Sequence, residues 1–361
     1  MAIFAGSVIV TLMGLFTFAT SSTVPAIFIF GDSLVDTGNN NYITTLSKGD
    51  IWFNGIDFGI GLPTGRFCNG KTIPDYICQI MGLPSPVPYL DPEANGKHIL
   101  TGVNFASGGS GILPSTGYKY IGRIPFDRQI EYFSNTKADL ISLMERAENA
   151  SHLISNALFY INIGSYDYIS NYFLSQSKVS QLYSVERYQE LLLGRFAEQL
   201  KNLYELGARI FLISNLGPLG CTPLLISSKN PDNGSCVGYI NSIISNFNGG
   251  LENMLKNKLQ IQFGDAQFVL SDNFAMLTQV IHNPAAYGFK YANESCCGIG
   301  RLRAEFPCTP ISRLCFHRAD YVFWDAFHTS DALNSMVANV QYAGPPDFVR
   351  PVNLKELMAL S

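Results

Sequence analysis

Short runs of apolar residues alternate along the chain with longer segments whose apolar residues recur at helical spacing. The continuous runs predict buried strands, and the periodic segments predict amphipathic helices. The predicted strands are Ala26–Phe30, Val103–Ala106, Ala157–Ile163, Ala208–Ser214, Gln267–Leu270 and Tyr321–Trp324. The predicted helices are Ile73–Met81, 126–145, Ser184–Leu206, Tyr239–Leu259 and Ser330–Val340. Strand and helix alternate five times, which predicts one α/β domain with a mainly parallel sheet.

The composition supports a folded domain and argues against one class of partner. Of the 361 residues, 47% are hydrophobic and 14% are charged, so the chain can bury a sizeable core. The formal net charge of -4, with no basic cluster, argues against a nucleic-acid partner. The sequence carries no decisive signal for an oligomeric state.

The first thirty residues predict export. Residues 2–31 carry no charge, and Ala2–Ala19 is nearly unbroken apolar sequence followed by the small residues Thr20, Ser21 and Ser22. This pattern predicts a signal peptide at residues 1–22, a secreted single domain at 23–361, and no stable membrane span after cleavage. The alternative is an uncleaved anchor, because the apolar stretch approaches the roughly 18 residues needed to cross a bilayer.

Export would also set the chemistry of the cysteines and of three asparagines. An even count of eight cysteines without a CxxC pair favours disulfides over a metal site. Cys296 and Cys297 are expected to take different partners, because bridging neighbours would strain the peptide. The triplets that begin at Asn149, Asn233 and Asn293 predict glycosylation in a eukaryotic secretory pathway.

Three polar motifs follow predicted strands: Gly31-Asp32-Ser33, Gly164-Ser165-Tyr166-Asp167 and Asp325-Ala326-Phe327-His328. In parallel sheets the functional site lies beyond the carboxyl ends of the strands, so these motifs are expected to meet. A hydrolytic serine needs a histidine as base and a group that holds the histidine. The sequence therefore predicts Ser33 as nucleophile, His328 as base and Asp325 as its orienting group.

Other residues compete for these roles. Ser107 and Ser110 are alternative nucleophiles, and the chain has no Gly-x-Ser-x-Gly motif. His317 has Asp320 three residues later, but it precedes the last strand and thus lies at the wrong end of the sheet. The remaining histidines, His98, His152 and His282, have no aspartate at a useful spacing.

The oxyanion of an acyl-transfer reaction needs preorganised donors. The amide of Ser33 and an amide of the glycine-rich loop 107–111, that of Gly109, are the candidates. A simple turn is the alternative interpretation of these glycines.

Four segments carry a resemblance to a known family: 30–41 (FGDSLVDTGNNN), 103–111 (VNFASGGSG), 163–168 (IGSYDY) and 324–328 (WDAFH). They resemble the sequence blocks of plant GDSL esterase/lipases, in the SGNH hydrolase superfamily. The resemblance implies a flavodoxin-like three-layer sandwich with a mainly parallel five-stranded sheet. It also implies the triad Ser33, Asp325 and His328, with Gly109 as an oxyanion donor. The implied activity is hydrolysis of small-molecule, lipid or polysaccharide carboxylic esters by a secreted glycoprotein without metal or cofactor.

The third block departs from the family at one catalytic position. The family has an asparagine as third oxyanion donor where this chain has Tyr166, and a phenol cannot occupy the same donor position unless the loop shifts. Either Asn162 or Ser165 compensates, or the enzyme is slower, or hydrolysis is lost and a binding role remains. An acyltransferase that uses the same triad is a further alternative. A milder departure is Thr329, where the family usually has proline.

Overall fold

The central sheet is built from strands whose continuous apolar sequences bury both faces, in a computed structural model that describes residues 24–174, 177–230 and 234–360. The proposed signal peptide and Asn233 lie outside the described residues. The strands are β1 (Ile27–Gly31), β2 (Val87–Pro88), β3 (Val103–Asn104), β4 (Leu158–Asn162), β5 (Ile210–Ser214), β6 (Gln267–Ser271), β7 (Tyr291–Ser295), β8 (Cys297–Gly298), β9 (Arg313–Leu314), β10 (Tyr321–Phe323) and β11 (Val349–Arg350).

Within the described residues, seven strands form one sheet in the order β11-β6-β5-β4-β1-β3-β2. The five central strands correspond to the first five of the six predicted strands, and they run parallel. Two-residue strands extend both edges, β2 in parallel and β11 antiparallel. The predicted α/β fold class with a mostly parallel sheet is confirmed.

The prediction for the last strand is wrong in one respect. β10 does not join the central sheet but pairs with β7 in a separate two-stranded sheet. Its three buried apolar residues pack instead beside the disulfide-containing segment and helix α11. The motif that contains His328 therefore reaches the site from outside the central sheet.

Helices cover both faces of this sheet. They are α1 (Ile73–Ile80), α2 (Phe126–Leu143), α3 (Ala147–Asn156), α4 (Ser165–Asp167), α5 (Lys178–Leu182), α6 (Val185–Glu205), α7 (Pro223–Lys229), α8 (Gly238–Met254), α9 (Gln260–Gln262), α10 (Asn273–His282), α11 (Asp331–Ala343) and α12 (Leu354–Leu360). Phe28 and Phe30 of β1 face the layer of α2, α3, α6 and α8, whereas Ile27 and Ile29 face that of α1, α10, α11 and α12. This alternation follows from the two-residue period of a strand.

All eight cysteines lie within the described residues, and six of them form three disulfides: Cys221–Cys236, Cys296–Cys315 and Cys297–Cys308. The neighbours Cys296 and Cys297 take different partners, as expected. The expectation that all eight cysteines pair is wrong for Cys68 and Cys78, which are free and buried. Both fill apolar clusters, a common use of an unpaired cysteine.

No helix in the described part of the chain is long and apolar enough to cross a membrane. Of the three predicted glycosylation sites, Asn149 on α3 and Asn293 on β7 are exposed to solvent.

Candidate active site

The first polar motif is held at the carboxyl end of β1 by a close backbone approach. A Cβ atom on Gly31 would lie 2.2 Å from the carbonyl oxygen of Asn162 on β4, so only glycine fits there. The side chain of Gln129 on α2 bonds both backbone groups of Gly31, accepting from its N–H at 2.9 Å and donating to its carbonyl at 2.8 Å. The turn that carries Ser33 is thereby fixed. Nothing in the sequence pattern marks Gln129, because its partners are distant along the chain.

Ser33, His328 and Asp325 form a continuous hydrogen-bonded chain. Ser33 Oγ lies 2.8 Å from His328 Nε2, and His328 Nδ1 lies 2.7 Å from Asp325 Oδ2. Burial would raise the pKa of the Asp325 carboxyl, but His328 and the N–H groups of Phe327 and His328 outweigh it and lower that pKa. An ionised Asp325 only accepts, so Nδ1 carries the proton and Nε2 accepts the proton of Ser33.

The Asp325–His328 turn is positioned from both ends. Asp325 Oδ1 accepts from the N–H groups of Phe327 at 3.0 Å and of His328 at 2.8 Å, which fixes the turn. The N–H of Trp324 donates to the carbonyl of His328, which closes the turn onto β10. Immediately after the turn, Ser330 caps helix α11, and α11 packs on α1. The packing of α11 on α1 therefore positions the His328 imidazole next to Ser33.

The hydroxyl of Tyr166 lies 3.2 Å from Ser33 Oγ. Its ring packs at near right angles between the rings of Tyr120 and Phe327. Burial raises the pKa of Tyr166 well above its ordinary value, so the phenol remains protonated. Because Ser33 donates its own proton to His328, Tyr166 donates to Ser33 Oγ. The phenol thus reaches Ser33 Oγ. The expectation from the sequence was that its length keeps it from the donor position of the family's asparagine unless the loop shifts.

The two predicted oxyanion donors, the N–H groups of Ser33 and Gly109, belong to buried residues. Among the described residues, neither the N–H of Ser33 nor that of Gly109 has a hydrogen-bond acceptor. The neighbouring N–H groups do have acceptors: Leu34 donates to Asp32, Gly108 to Asp36, and Ser110 to Ser107. Buried N–H groups are rarely left unpaired, so two of them in these motifs indicate a place for an external oxygen. The ring of Tyr120 packs against Gly109.

The alternative candidate nucleophiles, Ser107 and Ser110, form hydrogen bonds with other groups. Ser107 Oγ donates to Asn40 and accepts from the N–H of Ile124, and Ser110 Oγ donates to the carbonyl of Ile124. Neither serine contacts a histidine in the described part of the chain. His317, the competing base, is exposed to solvent.

Two buried carboxylates that sequence reasoning missed tie the loops of the site together. Asp36 accepts from the N–H groups of Gly38, Asn39 and Gly108, which joins the first loop to the glycine-rich loop. Asp167 likewise holds the N–H of Ile112. Burial raises the pKa of each to about 6, although these N–H groups act in the opposite direction. An aspartate in an Asn/Gly-rich loop was the available signal for Asp36.

Asp32 is the carboxyl nearest to Ser33 in sequence. Burial raises its pKa to about 7, against the effect of the Leu34 N–H and of His328. Oδ1 accepts from Leu34 at 3.0 Å, whereas Oδ2 has no partner among the described residues.

A cavity opens beside Ser33 and His328, lined mainly by apolar side chains. Its polar lining includes Asn162, which sequence reasoning offered as a compensating donor, and Ser165. Within the described residues, no group of three histidine, cysteine, aspartate or glutamate side chains is arranged to hold a metal ion.

Known proteins resemble this chain over nearly its whole length. The family model described as GDSL-like Lipase/Acylhydrolase matches residues 27–340. GDSL esterase/lipase At1g71691 of Arabidopsis thaliana is 40% identical over 338 residues, covering 94% of this chain and 86% of the relative. GDSL esterase/lipase 7 of the same plant is 41% identical over 339 residues, covering 93% and 92%. A Bacillus subtilis protein of solved structure has a TM-score of 0.34 and 11% identity, covering 88% of this chain and 55% of that one.

Proposed function

The chain belongs to the GDSL family of lipases and acylhydrolases, and from that membership we propose how this carboxylic ester hydrolase acts. Ser33 is the nucleophile, His328 the general base and Asp325 the group that orients it. The observation that carries the proposal is the unbroken chain of short contacts from Ser33 through His328 to Asp325.

In the first half of the reaction, Ser33 Oγ attacks the ester carbonyl carbon while its proton moves to His328 Nε2. The carbonyl π electrons move to the oxygen, which becomes an oxyanion. When this intermediate collapses, the alcohol leaves with the proton from Nε2 and the acyl group stays on Ser33.

Water then attacks the acyl-enzyme and gives its proton to Nε2. Collapse releases the carboxylic acid and returns the proton to Ser33, so the enzyme is regenerated. Asp325 holds the imidazole in the required tautomer and stabilises the imidazolium that forms twice.

The oxyanion is met by three donors in this proposal: the N–H groups of Ser33 and Gly109 and the hydroxyl of Tyr166. The support is that the two amides are buried and unpaired, and that the phenol lies 3.2 Å from Ser33 Oγ. In the tetrahedral intermediate the oxyanion oxygen and Ser33 Oγ are bonded to the same carbon. A donor that reaches Oγ therefore also reaches the oxyanion with a small adjustment. Tyr166 therefore takes the role that asparagine has in the family.

Export completes the proposal. The uncharged, apolar residues 1–22 act as a signal peptide, followed by one hydrolase domain at 23–361. The exposure of Asn149 and Asn293 supports glycosylation at these two positions, and the three disulfides suit an oxidising compartment.

Hydrolysis of a short p-nitrophenyl ester by wild type and Ser33→Ala tests the nucleophile. The account predicts turnover in the wild type and loss of at least 10³-fold, on the order of a missing triad residue, in the variant. Ser228→Ala is the control and keeps its activity, because Ser228 is exposed on α7 and does not line the cavity beside Ser33. Equal circular dichroism spectra exclude misfolding. Unchanged turnover in Ser33→Ala contradicts the assignment.

A further inference from the structure

The ring of Phe67 contacts both the base and the glycine-rich loop. It is 6% exposed, and its centroid lies 5.2 Å from that of the His328 imidazole. A Cβ atom on Gly108 would lie 2.5 Å from Phe67 Cζ, so the outer end of the ring packs directly against this glycine. Gly108 precedes Gly109, whose N–H group is one of the proposed oxyanion donors. A shift of this ring would therefore change the position of the base, of the donor or of both.

The backbone before Phe67 is anchored to helix α1 by a buried ion pair. Arg66 donates through Nε and Nη2 to the two carboxylate oxygens of Asp75, each at 2.7 Å. The same carboxylate accepts from the N–H and the hydroxyl of Thr72, the residue that caps α1. Because breaking a buried pair of this kind costs about 3–5 kcal/mol, the start of the Phe67 side chain is held in place.

The segment after Phe67 is tied to α11, the helix that follows the base. Asn69 Oδ1 accepts from the N–H of Asp331, the first residue of α11, at 2.9 Å. Asp331 Oδ1 in turn accepts from the N–H of Lys71 at 2.6 Å. Asp331 comes three residues after His328, so the same helix end holds both the base and the segment that carries the ring.

We propose that Phe67 is a positioning residue that sets the separation between the base and the oxyanion donor of the glycine-rich loop, an inference that rests on the proposed function. Attack on the ester requires His328 at Ser33 Oγ and the N–H of Gly109 at the oxyanion at the same moment. These groups come from different segments, and a rigid ring packed against both keeps them in register without taking part in proton transfer. Phe67 does not line the apolar cavity beside Ser33, so it acts on the reacting groups and not on the bound ester.

The kinetics of Phe67→Leu test this role. The variant keeps an apolar side chain but withdraws the outer part of the ring from Gly108. A misplacement of about 1 Å can cost 10²-fold, so kcat for a short p-nitrophenyl ester should fall roughly 10- to 100-fold. KM should stay within about twofold, because Phe67 is not part of the apolar cavity. Phe289→Leu is the matched control: Phe289 is 4% exposed and does not line that cavity, so its loss should lower stability and leave kcat unchanged.

A second substitution tests the contact itself. The Cβ atom of Gly108→Ala would press on Phe67 Cζ, so this variant alone should also lose activity. In the double variant Gly108→Ala/Phe67→Leu the shorter side chain leaves room for that Cβ atom. Its loss of kcat should therefore be at least roughly threefold smaller than the product of the two single losses. Asn40 Nδ2 lies 2.8 Å from the same Cβ position and is present in the single and the double variant alike, so it does not affect the comparison.

The proposal is overturned if Phe67→Leu keeps kcat within about twofold of the wild type, if its loss appears in KM alone, or if Phe289→Leu loses as much. It is also overturned if the double variant loses the full product of the single losses. Should Gly108→Ala fail to fold, Phe67→Leu and its control decide alone. Absence of turnover by the wild type with every short ester overturns the proposed function instead.

Discussion

Replacing Tyr166 with phenylalanine removes one oxygen atom and leaves the ring in place between Tyr120 and Phe327. The neutral phenol donates to Ser33 Oγ at 3.2 Å and, in our account, to the oxyanion that forms beside it. A hydrogen bond to a charged group contributes about 1.5–3 kcal/mol. Because the oxyanion exists only after attack, the loss should appear in kcat, as a fall of roughly 10- to 150-fold, with little change in KM.

Steady-state kinetics with one short ester, at several concentrations, measures both constants. Tyr168→Phe is the matched control, since its ring packs against Tyr188 and Phe247 in the core and does not line the cavity. If Tyr166→Phe keeps or exceeds the wild-type kcat, the hydroxyl is no oxyanion donor and only restrains Ser33 in the free enzyme. A higher kcat in Tyr166→Asn would show that the phenol is a poorer donor than the asparagine of the family.

The remaining predictions concern stability and the thiols. The pKa of Asp32 is raised by burial from 3.8 to about 7, so the stabilisation that comes with its proton is complete below about pH 4 and is lost as the pH rises through 7. In this window the free energy of unfolding of the wild type should fall with rising pH. In Asp32→Asn that fall should be shallower, by up to about 1.4 kcal/mol per pH unit. Urea unfolding between pH 4.5 and 8 measures this, and equal slopes in both proteins refute it. A thiol reagent should modify no cysteine in the native protein and two, Cys68 and Cys78, in denaturant; rapid labelling of the native protein would contradict their burial.

The strands and helices could be predicted because their patterns are local. The apolar run Ile27–Phe30 fixes β1, and the helical spacing of 126–145 matches α2 within two residues. The prediction placed β10 in the wrong sheet. An apolar run indicates that a strand is buried, but it does not indicate which strand it pairs with. The pairing depends on the disulfide-containing segment around it, whose connectivity no spacing reveals.

Among the residues of the site, too, local motifs could be predicted from the sequence and long-range contacts could not. Ser33, Asp325 and His328 lie in short motifs, so the sequence could name them before their contacts were known. Gln129 acts across 98 positions of sequence, and its role depends on where α2 crosses the end of β1. The reach of Tyr166 depends on the loop and on two aromatic neighbours, which bond counting from the backbone could not supply.

Covalent labelling by a fluorophosphonate tests the central claim most directly, because only an activated serine reacts. The account predicts one adduct per chain, found by mass spectrometry on the peptide that contains Ser33 and absent in Ser33→Ala and His328→Ala. No adduct, or an adduct on Ser107 or Ser110 in the wild type, would contradict it.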